Sequence, residues 1–107
     1  MNVEQIRDYC LSLPNAVEYM PFGPNHVVFK VSNKMFLLLG LDETPIRFNV
    51  KCDPSIAIEL RERFPESILP GWHMNKKHWN TVHVDGQISS NLLFEMIENS
   101  YAIVKTK

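Results

Sequence analysis

Apolar and polar residues alternate along this 107-residue chain in two rhythms, and the switches between them mark its elements. Val3, Ile6, Cys10 and Leu13 recur at helical spacing, which predicts a first helix with one apolar stripe. Asn2, with Gln5 three residues on, is a variant capping-box start, and Pro14-Asn15 is the expected stop. Cys10 falls in the stripe, so it reads as a small core residue rather than a nucleophile. Glu18 to Asn25, with two prolines and a glycine, reads as irregular, its Tyr19 and Phe22 able to cap the core or line a groove, with capping the core the expected role.

From His26 the period becomes two. Val27, Phe29 and Val31 fall on one side, Val28 and Lys30 on the other. Ser32-Asn33 fits a two-residue hairpin turn. Lys34 to Leu41 is the most apolar run, expected as a central strand covered on much of both faces. After the turn Asp42–Pro45, Ile46, Phe48 and Val50 point inward and Arg47, Asn49 and Lys51 outward. Asp53-Pro54 starts a second helix. Ile56, Ala57, Leu60 and Phe64 form its expected buried stripe, with Glu59, Arg61, Glu62 and Arg63 in water. Trp79 to Val84 is a further strand, and Ser89 or Ser90 caps a last helix ending near Lys105 and Lys107. The order α-β-β-β-α-β-α predicts one α+β domain over residues 1–107, an antiparallel sheet with helices mainly on one face.

Composition narrows the function classes. The chain is 45% hydrophobic and 21% charged, ordinary for a globular domain. The apolar run Met35–Leu41 is too short to span a bilayer. Glu4, Arg7 and Asp8 interrupt any secretory signal, so a cytosolic protein with reduced Cys10 and Cys52 is expected. A net charge of −1 argues against coating nucleic acid by bulk charge. The charge is unevenly spread, however, with no acid from Tyr19 to Leu41.

Chemistry concentrates in P-G-W-H-M-N-K-K-H-W-N-T-V-H-V, Pro70 to Val84, which holds both tryptophans and three of the four histidines. His73, His78 and His83 are five apart and match no metal-ligand pattern, so no metal or cofactor is expected. Cys52 precedes a helix whose N-terminus could lower its pKa, but a buried thiol is the stronger reading. No nucleophile, P-loop or dinucleotide motif is present, so catalysis is not expected. Lys76 and Lys77 can neutralise phosphates, Asn75 can hydrogen-bond phosphate or a base edge, and His73 and His78 can donate to phosphate. Trp72, after Pro-Gly, is the expected exposed aromatic, and Trp79 the packed one. Lys34, Arg47 and Lys51 could extend that surface.

Taken together, R-D-Y-C-L-S-L-P, P-F-G, V-F-K-V with K-M-F, V-K-C-D-P, P-G-W-H-M-N-K-K-H-W-N-T-V and the closing S-Y resemble the MmcQ/YjbR family over nearly the whole chain. The resemblance implies a frataxin-like (CyaY-like) α+β fold. It also implies double-stranded DNA as partner, gripped by two hairpin-like wings of the sheet. Frataxin's iron chemistry is not implied, since the first helix has only Glu4 and Asp8 as acids. The expectation is therefore a monomeric, non-enzymatic DNA-binding protein with mainly electrostatic, weakly sequence-specific contacts. The competing expectation is a small-ligand or protein-interaction module with the Trp72–Trp79 loop as a pocket rim.

Overall fold

The asparagine cap closes as a full box: Asn2 Oδ1 accepts from Gln5 N and Asn2 N donates to Gln5 Oε1, both at 2.8 Å. It launches α1 (Val3–Ser12) in a computed structural model that describes residues 1–105, so Lys107 lies outside the described residues. There follow β1 (Val17–Tyr19), β2 (His26–Val31), β3 (Lys34–Gly40), β4 (Ile46–Lys51), α2 (Pro54–Arg63), β5 (Ile68–Pro70), β6 (Trp79–Val84) and α3 (Ser90–Lys105). The strands form one six-stranded antiparallel sheet in the order β1-β2-β3-β4-β6-β5. The architecture is α+β, as expected.

Two strands go beyond the sequence reading, and both are short edges. β1 lies in the segment expected to be irregular, and β5 precedes Gly71. Three residues are too few to display a period of two. Pro70 sits where an edge strand tolerates a missing N–H. The hairpin at Ser32-Asn33 forms with both residues at positive φ, 54° and 63°, the twist that suits a two-residue turn.

All three helices contribute to a core on one face of the sheet. Ile6 and Cys10 of α1, Leu60 of α2, and Leu93, Met96, Ile97, Tyr101 and Val104 of α3 meet Val27, Phe29, Leu37, Leu39, Phe48, Val50 and Val82. Each such large side chain contributes about 1.5–3 kcal/mol by leaving water. A bulge refines this layer. Phe29 pairs with Leu37 but Lys30 with Met35, leaving Phe36 unpaired. Phe36 is thereby buried beside Leu37, with Tyr101 edge-on at 5.4 Å.

Helix α2 departs from expectation. Ala57 and Leu60 are buried, but Ile56 is exposed, and Arg61 is half-buried rather than solvated. Arg61 turns inward because its Nε donates to Asn80 Oδ1 at 2.9 Å and its Nη2 to the Lys76 carbonyl at 2.8 Å. With Ala57, Leu60 and Arg61 facing in, Ile56 lies roughly a quarter-turn round the helix.

Candidate functional site

Opposite the helices the sheet is open, and its register draws a straight row across every strand. Tyr19 pairs with Val28, Val28 with Leu38, Leu38 with Asn49, Asn49 with Thr81, and Thr81 with Leu69. Residues at paired positions share a face, so this row is the floor of the exposed surface. His26, Lys30, Arg47, Lys51 and His83 lie on the same face by alternation.

The Pro70–His78 segment folds back over the β6 end of that floor. Gly71 N donates to Trp79 O at 2.8 Å. A Cβ on Gly71 would fall 2.7 Å from Trp79 Cβ and 2.9 Å from its carbonyl oxygen, so only glycine permits this approach. Trp72 N then donates to Thr81 Oγ1 at 2.9 Å, Thr81 Oγ1 donates to Asn49 Oδ1 at 2.7 Å, and Asn49 Nδ2 reaches Trp72 O at 3.4 Å. The ring of three residues satisfies the buried polar groups of Asn49 and Thr81 and fixes the loop on the sheet.

So anchored, Trp72 is 54% exposed, while Trp79 is buried, as expected of each. The Arg47 guanidinium lies 4.3 Å from the Trp72 ring centroid, and the His73 ring 4.4 Å away. Arg47 Nη2 also pairs with Glu43 Oε1 at 2.7 Å. His73 holds φ +60°, the left-handed region, where histidine occurs more often than most side chains.

Between this wall and β2 runs a groove. One hollow of about 360 Å³ is bounded by His26, Leu38, Glu43, Arg47, Asn49, Trp72 and His73. A second, of about 330 Å³, is bounded by Phe22, His26, Met35, Leu38, His73 and Met74. They share His26, Leu38 and His73, so the two hollows adjoin along the groove. Across the Trp72 ridge lies a third hollow, about 260 Å³, against Leu69, Thr81 and His83. Phe22, 64% exposed, and Tyr19, 50% exposed, do not cap the core; Phe22 instead takes the other role open to it and edges the groove.

The nine residues singled out in the sequence separate into three places. Arg47, Trp72 and His73 meet at the groove. Lys51 pairs with Trp79 at the sheet end that also carries Asn75, Lys76, Lys77 and His78. Two of these hold the loop: Lys76 Nζ donates to Gly71 O at 3.1 Å, and Asn75 Oδ1 accepts from Lys77 N at 2.9 Å. His78 is half-buried, its carbonyl accepting from Cys52 N at 2.7 Å. Lys34 pairs with Val31, whose side chain is in the core, so the register puts Lys34 on the helix-side face. His26, Leu38, Glu43, Asn49 and Thr81 were not singled out, and only the register brings them together.

The thiols are not activated. Burial pushes Cys10 up to about 12. Cys52 is also raised, by burial first and Asp53 second, instead of lowered by the helix end. Asp53 takes that helix end for itself, its Oδ1 accepting from Ser55 N at 3.0 Å. Among the described residues no three His, Cys, Asp or Glu side chains converge as a metal site. No helix among them is long and apolar enough to cross a membrane.

The fold and this open-face groove define a small α+β domain of a kind already represented among solved structures. The chain belongs to the YjbR family, whose model matches residues 11–103. It is similar to the uncharacterised protein YbdF of Escherichia coli O157:H7, 39% identical over 102 residues, spanning 94% of this chain and 82% of that one. YjbR of Escherichia coli K12 is 26% identical over 101 residues, covering 94% and 85%. Among solved structures, Deinococcus radiodurans DR2400, a DUF419 domain, superposes with a TM-score of 0.94 at 40% identity, over 99% of this chain and 80% of that one. A Pseudomonas syringae crystal structure gives 0.82 at 27% identity, over 97% and 99%.

Proposed function

We propose that this chain is a non-catalytic binding module whose ligand is a small organic molecule held in the groove between Trp72 and His26. The observation that carries this reading is a pair of adjoining hollows on the open face of the sheet. Two adjoining hollows of about 360 and 330 Å³ share a floor at Leu38, a size within the usual range for small-ligand sites. The groove offers apolar contact at Met35, Leu38, Phe22 and Met74, and convergent polar groups at Arg47, His26 and His73. Its wall is pre-formed by the Trp72–Thr81–Asn49 bonds, so little ordering entropy opposes binding.

Duplex DNA is the second reading, and one observation favours it. Outward strand positions carry Lys30, Arg47 and Lys51, while the one acid in a strand, Glu18, pairs with Arg7 of α1. Against it, Lys76 is tied to Gly71, Arg47 to Glu43, and Lys34 lies on the other face. That leaves Lys30, Lys51 and Lys77 as the main phosphate contacts, a thin track for a duplex.

One pair of titrations separates the readings. A fragment library screened by ¹⁵N NMR is expected to shift the amides of Leu38, Trp72 and His73, with little dependence on salt. A labelled generic duplex is expected to bind weakly. Micromolar duplex affinity that falls steeply with salt, and survives Trp72→Ala, would replace the groove reading with the DNA one.

A further inference from the structure

We propose that the groove's ligand is a carboxylate with an apolar body, and that it binds Arg47 by displacing the carboxylate of Glu43. The inference rests on the groove reading and adds the ligand's class. Arg47 is the one guanidinium lining the groove, and its planar fork fits a carboxylate. In the free protein that fork is answered from within: Glu43 Oε1 lies 2.7 Å from Arg47 Nη2, a single-point contact that leaves a two-point one unmade.

Glu43 is well placed to be an exchangeable occupant. It sits in the turn between β3 and β4 and takes no part in strand pairing, so its departure breaks no ladder bond. It folds onto Gly40 so closely that a Cβ there would lie 2.6 Å from Glu43 Cγ. Glycine at 40 is therefore what lets this carboxylate lie in the groove. Arg47 itself is held over Trp72 at 4.3 Å and need not move.

Charge decides the ligand class. Exchanging one carboxylate for another leaves the half-buried guanidinium paired throughout. A neutral ligand would either leave Glu43 in place or strip Arg47 of its partner. A phosphate dianion would bring a second negative charge that one guanidinium does not balance; the other titratable groups facing the site are His26, His73 and Glu43. The apolar body then lies along Leu38 and Met35 toward Phe22 and Met74.

The test uses the full chain, ¹⁵N-labelled, titrated with 3-phenylpropionate, 3-phenylpropionamide and phenyl phosphate. The acid is expected to shift the groove amides and to bind about tenfold tighter than its amide, the scale of one charge-assisted pair. Glu43→Gln removes the competitor and is expected to tighten the acid about three- to tenfold. Arg47→Gln is expected to abolish the preference for acid over amide. Both variants keep Trp72 and the core, and a dispersed spectrum verifies their fold. Equal affinities for acid and amide at the groove overturn the carboxylate proposal and leave the groove reading standing, as does tighter binding of the phosphate. No groove shift with any of the three compounds overturns both.

Discussion

Thr81 Oγ1 lies 2.7 Å from Asn49 Oδ1, and this bond between neighbouring strands underlies the backbone of the loop that carries Trp72. The hydroxyl donates to Asn49 and accepts from Trp72 N, so all of its hydrogen-bonding roles serve the loop. Thr81→Val keeps the shape but leaves Trp72 N and Asn49 Oδ1 without that partner. The expected cost is about 1–3 kcal/mol in urea unfolding, with faster amide exchange at Trp72 and His73. A variant as stable and as protected as the parent would show that the loop is held some other way.

Ser100 plays the matching part on the core side. Its hydroxyl donates to Phe36 O at 2.5 Å and accepts from Lys51 N at 2.9 Å, bridging β3 and β4 one residue beyond their paired positions Leu37 and Val50. Ser100→Ala strands two backbone groups and is expected to destabilise the fold by about 2–4 kcal/mol, since each buried unpaired group costs about 1–3 kcal/mol. Ser100→Thr, which restores the hydroxyl, recovers part of this if its extra methyl fits. A loss below about half a kcal/mol for Ser100→Ala would mean water replaces the hydroxyl.

These two side chains show where sequence reading stops. The capping box at Asn2, the Ser32-Asn33 turn and the inward Ile46-Phe48-Val50 set are local signals, and each is realised. So is the contrast between an exposed Trp72 and a packed Trp79, because Pro-Gly lifts one and the Gly71 turn folds back against the other on the open face. Asn49, Thr81 and Leu38 carry no local signal of a shared site; a one-residue slip would turn them to the core face. Arg61 looks like one more charge on a solvated helix face until Asn80 and the Lys76 carbonyl are placed beside it. Lys34 carries no local signal of its face either: the bulge opposite Phe29 and Lys30 shifts the register, and pairing with Val31 turns Lys34 to the helix side.

The cysteines yield a chemical prediction. Burial holds the Cys10 thiol protonated up to about 12, and Cys52 is raised as well. The thiolate is the reacting form. Native protein treated with iodoacetamide at neutral pH is expected to remain unmodified at Cys10 and to react at Cys52 more slowly than a free thiol, as read by intact mass. Rapid single alkylation at Cys52 would overturn the reading of it as a raised, structural thiol.

Acid stability supplies a last prediction, centred on Glu18. Arg7 Nε and Nη2 donate to its two oxygens at 2.8 and 2.6 Å, joining α1 to β1. That hydrogen-bonded pairing holds Glu18 below its ordinary 4.5 in the folded protein. Asp85, bonded by Ser67, and Asp53, bonded by Ser55, are likewise held below 3.8. A carboxylate whose pKa is lower folded than unfolded stabilises the fold fully above its unfolded value and loses that contribution as pH falls through the folded one. Stability is therefore expected to hold near neutrality and to decline from about pH 4.5 downward. Glu18→Gln removes one titrating group, so its melting temperature is expected to lie slightly below that of the parent near neutral pH, the pair being exposed and screened. The two curves then converge in acid, where the parent's Glu18 is protonated too. Melting curves from neutral pH down to about 2.5 measure this directly. Parallel curves throughout would mean that Arg7 contributes nothing through Glu18, and that the acid loss belongs to Asp53 and Asp85.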